Sequence, residues 1–162
     1  MNVKKTATLA LSISLAMVFS FLESQIPAFV SVPGVKMGLP NIVIVFLLYR
    51  FGWKEAALVS TIRVFLTSVL FGSGMSYLYA ISGAVLSLSG MILLKKIGRF
   101  SQVTVSIAGG VLHNAGQIAM ACYILGTSAI AYYLPFLIIS GILAGIVVGI
   151  AAGILVKRIP RI

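Results

Sequence analysis

Long apolar runs, separated by short polar or glycine-rich breaks, make up nearly the whole chain. Six runs stand out, at residues 6–25, 39–51, 55–71, 75–97, 103–125 and 133–156. Most have the ~17–25 residues a helix needs to cross the hydrocarbon core of a bilayer, where only a helix satisfies every backbone group within one segment. The second is too short to cross upright. The pattern predicts an all-α integral membrane protein, a six transmembrane helix bundle forming one domain over residues 1–162. Between the first two runs, residues 27–38 hold Pro27, Pro33 and Gly34 and predict a stiff cap on the outer face.

Composition strengthens this picture. Of 162 residues, 60% are hydrophobic and 9% charged, against about 25% charged in an ordinary soluble domain. A domain of this length leaves about 30% of its unfolded-chain surface in contact with solvent, so lipid is the medium that suits so apolar a chain. The formal charge of +10 comes from 12 Lys and Arg against Glu23 and Glu55 alone. These cations cluster between apolar runs and do not line one face with interleaved aromatics, which argues against a nucleic-acid partner. With a cytoplasmic N-terminus, the inner ends collect Lys4, Lys5, Arg50, Lys54, Lys95, Lys96, Arg99, Lys157, Arg158 and Arg161. The outer connections carry only Lys36, and Arg63 falls inside a helix. That asymmetry predicts both termini on the cytoplasmic side of a multi-pass protein in the cytoplasmic membrane. The basic start before residues 6–22 could also be read as a signal peptide, but the run is long for one. The single Cys122 can form no intrachain disulfide.

Arg63 is the most informative residue, because an arginine deep in a bilayer costs ~2.5–3.5 kcal/mol on insertion scales and needs a cavity or a partner. At 1.5 Å per residue it stands ~14 Å above the inner end of its helix, and His113 ~15 Å up the fifth. The two share a level. Glu23 is expected near the outer end of the first helix, and Glu55 lies two turns from Arg63, too far for an i,i+4 pair. An unpaired guanidinium at mid-depth implies a hydrated pocket and a bound anion. Donation to helix-end carbonyls, or a reach to Glu23 across a tilted bundle, is the structural alternative. His113 and Gln117 share a face of the fifth helix that Asn114 borders, offering neutral hydrogen bonds to a polar head group or glue between helices.

The second helix opens with Gly38, Leu39, Pro40 and Asn41, and Pro40 suits a first turn. If it begins below the outer surface, its free N–H groups, with Asn41 and the preceding Lys36, face the same cavity and favour an anion. Tyr77 is a further candidate at that level, although an aromatic-belt role also fits it. Gly141, Gly145, Gly149 and Gly153 repeat a small-xxx-small pattern that predicts close packing inside the bundle, or else an oligomer seam. Ala10 with Ser14, and Ser12 with Ala16, make similar stripes on the first helix. No phosphate-binding P-loop is present, and two glutamates without an aspartate cannot form the cluster that would hold Mg²⁺ against a diphosphate. Neither acid is placed to orient His113 for Ser-His-acid chemistry, and no second His or Cys sits at metal-ligand spacing. A noncatalytic protein without cofactor or metal is expected.

Three stretches carry a resemblance to a known family. Residues 33–42 (PGVKMGLPNI), 60–64 (STIRV) and 106–114 (SIAGGVLHN) resemble the heptaprenyl diphosphate synthase component I proteins, also called Gx transporters. That family in turn looks like the substrate-binding S components of energy-coupling factor (ECF) transporters, which are six-helix proteins of this size. The resemblance implies capture of a vitamin or precursor from outside, and partnership with a transmembrane coupling protein and two cytoplasmic ATPases. It also implies that Ala10, Ser12, Ser14 and Ala16 face the coupling protein. The family's name points elsewhere, to a noncatalytic membrane partner of a long-chain prenyl diphosphate synthase. An isoprenoid or quinone precursor would suit both, being apolar with one anionic group beside Arg63. A proton-coupled exporter is a third class, for which Glu23 is the one available intramembrane carboxylate.

Overall fold

The computed structural model describes residues 3–25 and 37–159. Among them are six α-helices: α1 (Val3–Gln25), α2 (Leu39–Arg50), α3 (Trp53–Phe71), α4 (Gly74–Ile97), α5 (Gln102–Leu125) and α6 (Leu134–Arg158). A short 3₁₀ turn, Ala129–Tyr133, leads into α6. The helices follow the apolar runs, and their stops follow local chemistry. Ser73 and Ser101 cap α4 and α5 by accepting the N–H of Ser76 and Thr104. Gly98 and Gly126 close them in the left-handed region that a Cβ disfavours. Lys36, most of the loop at 27–38 and Arg161 lie outside the described residues.

Among the described residues, three stretches are long and apolar enough to cross a membrane: α1, α4 and the run Ala129–Arg158. By contrast, α3 carries Lys54, Glu55 and Arg63, and α5 carries His113, Asn114 and Gln117. The least lipid-like of the long helices therefore hold the polar residues that the sequence singles out. At twelve residues, α2 is short but buried on all sides from Val43 to Leu48, as befits a central strut. Around it α1 and α3 pack on one side, while α4, α5 and α6 form a tighter layer in which α5 is central.

One end of the bundle is basic. Lys5, at the start of α1, pairs with Glu55 at the start of α3 at 2.5 Å. Lys95, near the end of α4, donates to the Leu48 carbonyl at 2.5 Å, and Arg50 donates to the Ile159 carbonyl. These contacts draw together the starts of α1 and α3 with the ends of α2, α4 and α6. The two cations also satisfy carbonyls at helix ends, where the dipole favours positive charge.

The stripe assigned to a partner surface on α1 divides in two. Ser12 and Ala16 are buried in the bundle, where α1 packs on α2 and α3, so they cannot face another protein; Ala10 and Ser14 are exposed. Alternation every three to four residues turns the two pairs to different faces. The hydroxyls of Thr8, Ser12, Ser14 and Ser20 donate to carbonyls four residues back, at 2.9, 2.8, 3.1 and 2.9 Å. Their polarity is consumed within the helix.

A candidate ligand cavity between the helices

In the half of the bundle away from the basic end, the helices part around a cavity of about 170 Å³. Its floor and back are built by close helix contact. A Cβ on Gly110 would meet the Gly141 carbonyl oxygen at 2.4 Å, and one on Gly145 would meet the Ile107 Cα at 2.5 Å. The backbones of α5 and α6 thus approach closely, leaving Gly110, Gly141 and Ala144 as cavity lining. A Cβ on Gly83 of α4 would meet the His113 carbonyl oxygen at 2.7 Å and the Gln117 Cγ at 2.9 Å. This second tight seam fixes the height and rotation of α5, and with it His113, Asn114 and Gln117, all of which line the cavity. Asn114 is buried and donates to the Leu137 carbonyl of α6 at 2.7 Å.

The opposite wall carries charge. Arg63 donates through one terminal nitrogen to Asn41 Oδ1 at 3.3 Å, while its Nε is buried without a hydrogen-bond partner. The Thr67 hydroxyl, one turn further along α3 and also lining the cavity, is likewise buried and unpartnered. Asn41 is held by the entry to α2, where its N–H donates to the Gly38 carbonyl at 2.9 Å. Gly38 has φ 73°, a conformation that only glycine adopts without strain. Its own N–H donates to Glu23 Oε1 at 2.5 Å.

That last contact corrects an expectation. Glu23 lines the same cavity as Arg63 and acts on it electrostatically, although no oxygen of Glu23 comes within the 4.0 Å of an ion pair. The carboxylate also takes the first N–H at the head of α2, which the sequence reading had kept for a bound anion. Height along a helix follows from residue count, but the lean of α1 toward α2 does not. Tyr77 is not a lining residue; it meets Phe65 edge to face at 6.2 Å, a packing role. Lys36 lies outside the described residues. Glu23 entered the sequence analysis only as the structural alternative for Arg63, and Thr67 and Ser68 were not anticipated; the four-residue spacing of Arg63 and Thr67, one helical turn, was the available clue to Thr67.

The glycine stripe of α6 is also uneven. Gly141, Gly145 and Gly149 pack on the backbone of α5, where a Cβ on Gly149 would meet the Val103 Cα at 2.8 Å, whereas a Cβ at Gly153 would meet only the tip of Gln102 at 3.9 Å.

The family model described as heptaprenyl diphosphate synthase component I matches residues 12–155. The chain belongs to that family. The match to the component I family runs from within α1 to the last turns of α6 and includes every cavity residue named above. No curated protein and no solved structure matches the chain. The name of the component I family describes a part of a prenyl diphosphate synthase. Among the described residues, no group of three or more His, Cys, Asp or Glu could hold a metal ion.

Proposed function

We propose that this protein is a noncatalytic, membrane-embedded binding subunit, whose cavity takes a small molecule that offers an anionic group to Arg63 and an apolar body to the α5–α6 wall. The observation that carries the reading is the Arg63 guanidinium, in contact with one neutral amide and no carboxylate, with a buried N–H left over. Such a group in a low-dielectric setting is stabilised by a charge-assisted bond from a ligand. With the basic end in the cytoplasm, six helices spanning or entering the bilayer would place the cavity in its outer half, open to uptake from outside. On this reading the protein is the S component of an ECF-type transporter for a vitamin or an isoprenoid or quinone precursor. Energy comes from a separate coupling protein and two cytoplasmic ATPases.

The family description favours a second reading, in which the same bundle is the membrane component of a long-chain prenyl diphosphate synthase. Noncatalytic status fits both. Glu55 sits beside Lys5 and Glu23 lies eighteen residues further along α1, a separation of about 27 Å. No carboxylate pair is thus available to hold Mg²⁺ against a diphosphate. Affinity purification of the full chain from its native membrane, followed by native mass spectrometry, tests the two together. Coupling protein and ATPases are expected to copurify; recovery of a soluble prenyl synthase in their place would reverse the ranking. Arg63→Gln is expected to weaken retention of the bound small molecule by about 10- to 100-fold. Unchanged retention in that variant would remove the cavity from the account.

A further inference from the structure

The cavity contains a separated pair of opposite charges. Arg63 on α3 and Glu23 on α1 both line it and interact through space, yet they stand beyond 4.0 Å of each other. Arg63 and Glu23 are the Arg and the Glu among the described lining residues, and Asn41, Thr67, Ser68, Asn114 and Gln117 are among those that add neutral hydrogen-bonding groups. With His113 counted neutral, the described lining residues formally sum to zero. A lone anion drawn to Arg63 therefore enters the field of Glu23 as well, and a diphosphate with its several negative charges meets that repulsion several-fold. A ligand that is itself dipolar meets no such conflict. It gives the Arg63 guanidinium, whose described hydrogen bond is to Asn41 alone, an acid to donate to, and gives Glu23 a donor beyond the Gly38 N–H. Size adds a limit, because about 170 Å³ is close to the ~150 Å³ cavity that holds one benzene ring.

We propose that the ligand is a small zwitterion, with a carboxylate or similar monoanion bound by Arg63 and an ammonium or equivalent cationic donor bound by Glu23, on an apolar body no larger than about one ring. This deepens and rests on the proposal that the Arg63 cavity is the binding site. It assigns Glu23 a specificity role beyond tying α1 to α2, and it excludes prenyl diphosphates as cargo.

Four probes on one skeleton test it with the full chain in nanodiscs, by calorimetry and thermal shift. Phenylalanine and β-phenyl-γ-aminobutyrate carry both charges at two spacings, 3-phenylpropionate lacks the ammonium, and 2-phenylethylamine lacks the acid. Dimethylallyl diphosphate serves as the polyanion. At least one zwitterion is expected to bind about tenfold or more tighter than either singly charged probe, a difference of about 1.4 kcal/mol. Glu23→Gln keeps an oxygen to accept the Gly38 N–H and removes only the charge. It should shrink the preference over 3-phenylpropionate to under about threefold and improve binding of the diphosphate. Arg63→Gln should cost the acid and the zwitterions their affinity and spare the amine. If 3-phenylpropionate matches the zwitterions and depends on Arg63, the dipolar assignment falls while the binding site stands. If no probe binds, both fall. Should Glu23→Gln fail to fold, the wild-type order of the four probes decides alone.

Discussion

The two sides of the cavity are built on different principles. On the α4–α5–α6 side, the helices approach closely at glycines, and the ordering of His113, Asn114 and Gln117 comes chiefly from that packing, supplemented by the hydrogen bonds of Asn114 to the Leu137 carbonyl and Ser82 to the Gly116 carbonyl. On the α1–α2–α3 side, contact is sparser, and the helices are joined by single polar ties: Glu23 to Gly38, Arg63 to Asn41, Lys5 to Glu55. In the membrane setting proposed above, lipid gives no hydrophobic drive toward helix association, so close packing and hydrogen bonds supply it. The glycine side relies mainly on the first and the charged side mainly on the second. One wall therefore has a fixed shape, while the other holds the chemistry on ties that a ligand can compete for.

Substitutions can break this contrast in graded steps. The largest effect is expected for Gly141→Leu, which forces a side chain into the α5 backbone, where even a Cβ would stand 3.0 Å from the Gly110 carbonyl. Overpacking of this kind costs about 3 kcal/mol or more, and size-exclusion chromatography should show loss of the monodisperse species. Asn114→Ala removes the 2.7 Å bond to Leu137 without disturbing the glycine contacts, at a cost of about 1 kcal/mol. Its melting temperature should fall by a few degrees. Lys5→Ala breaks an ion pair whose lysine is more than one-third exposed, a loss of at most about 0.5 kcal/mol. Thermal melts should show that small loss vanishing at high salt. Gly153→Ala, on the same stripe as Gly141 but with room for a Cβ in ordinary contact with the tip of Gln102, should leave the melting temperature unchanged or raise it, by up to about 1 kcal/mol of helix propensity. A collapse of Gly153→Ala like that of Gly141→Leu would show that the seam extends further than the contacts indicate.

The helices themselves were legible because apolar length and glycine or serine punctuation carry most of the information. The start of α5 was placed at Val103 and is found at Gln102, and the start of α1 at Thr6 and is found at Val3. Heights were legible too, since a fixed rise brings Arg63 and His113 to one level and into one cavity. Rotation and lean were not. The approach of Glu23 to the start of α2 depends on how α1 tilts against a neighbour, and sequence spacing has no term for that. The same gap explains the small residues of α1, where periodicity marked two stripes and only packing showed that Ser12 and Ala16 face inward. Gly153 extends the four-residue repeat yet meets only the end of the Gln102 side chain, because a repeat records spacing along one helix and not its distance from the next.

The back-bonded hydroxyls of α1 bear on how the protein is made. On the proposed membrane reading, a helix whose Thr8, Ser12, Ser14 and Ser20 hydroxyls already donate to its own carbonyls presents no open hydroxyl at those four positions to the acyl chains. In that setting it can wait in the bilayer until the residues that hold it are added, Gly38 for Glu23 and then Glu55, fifty residues on, for Lys5.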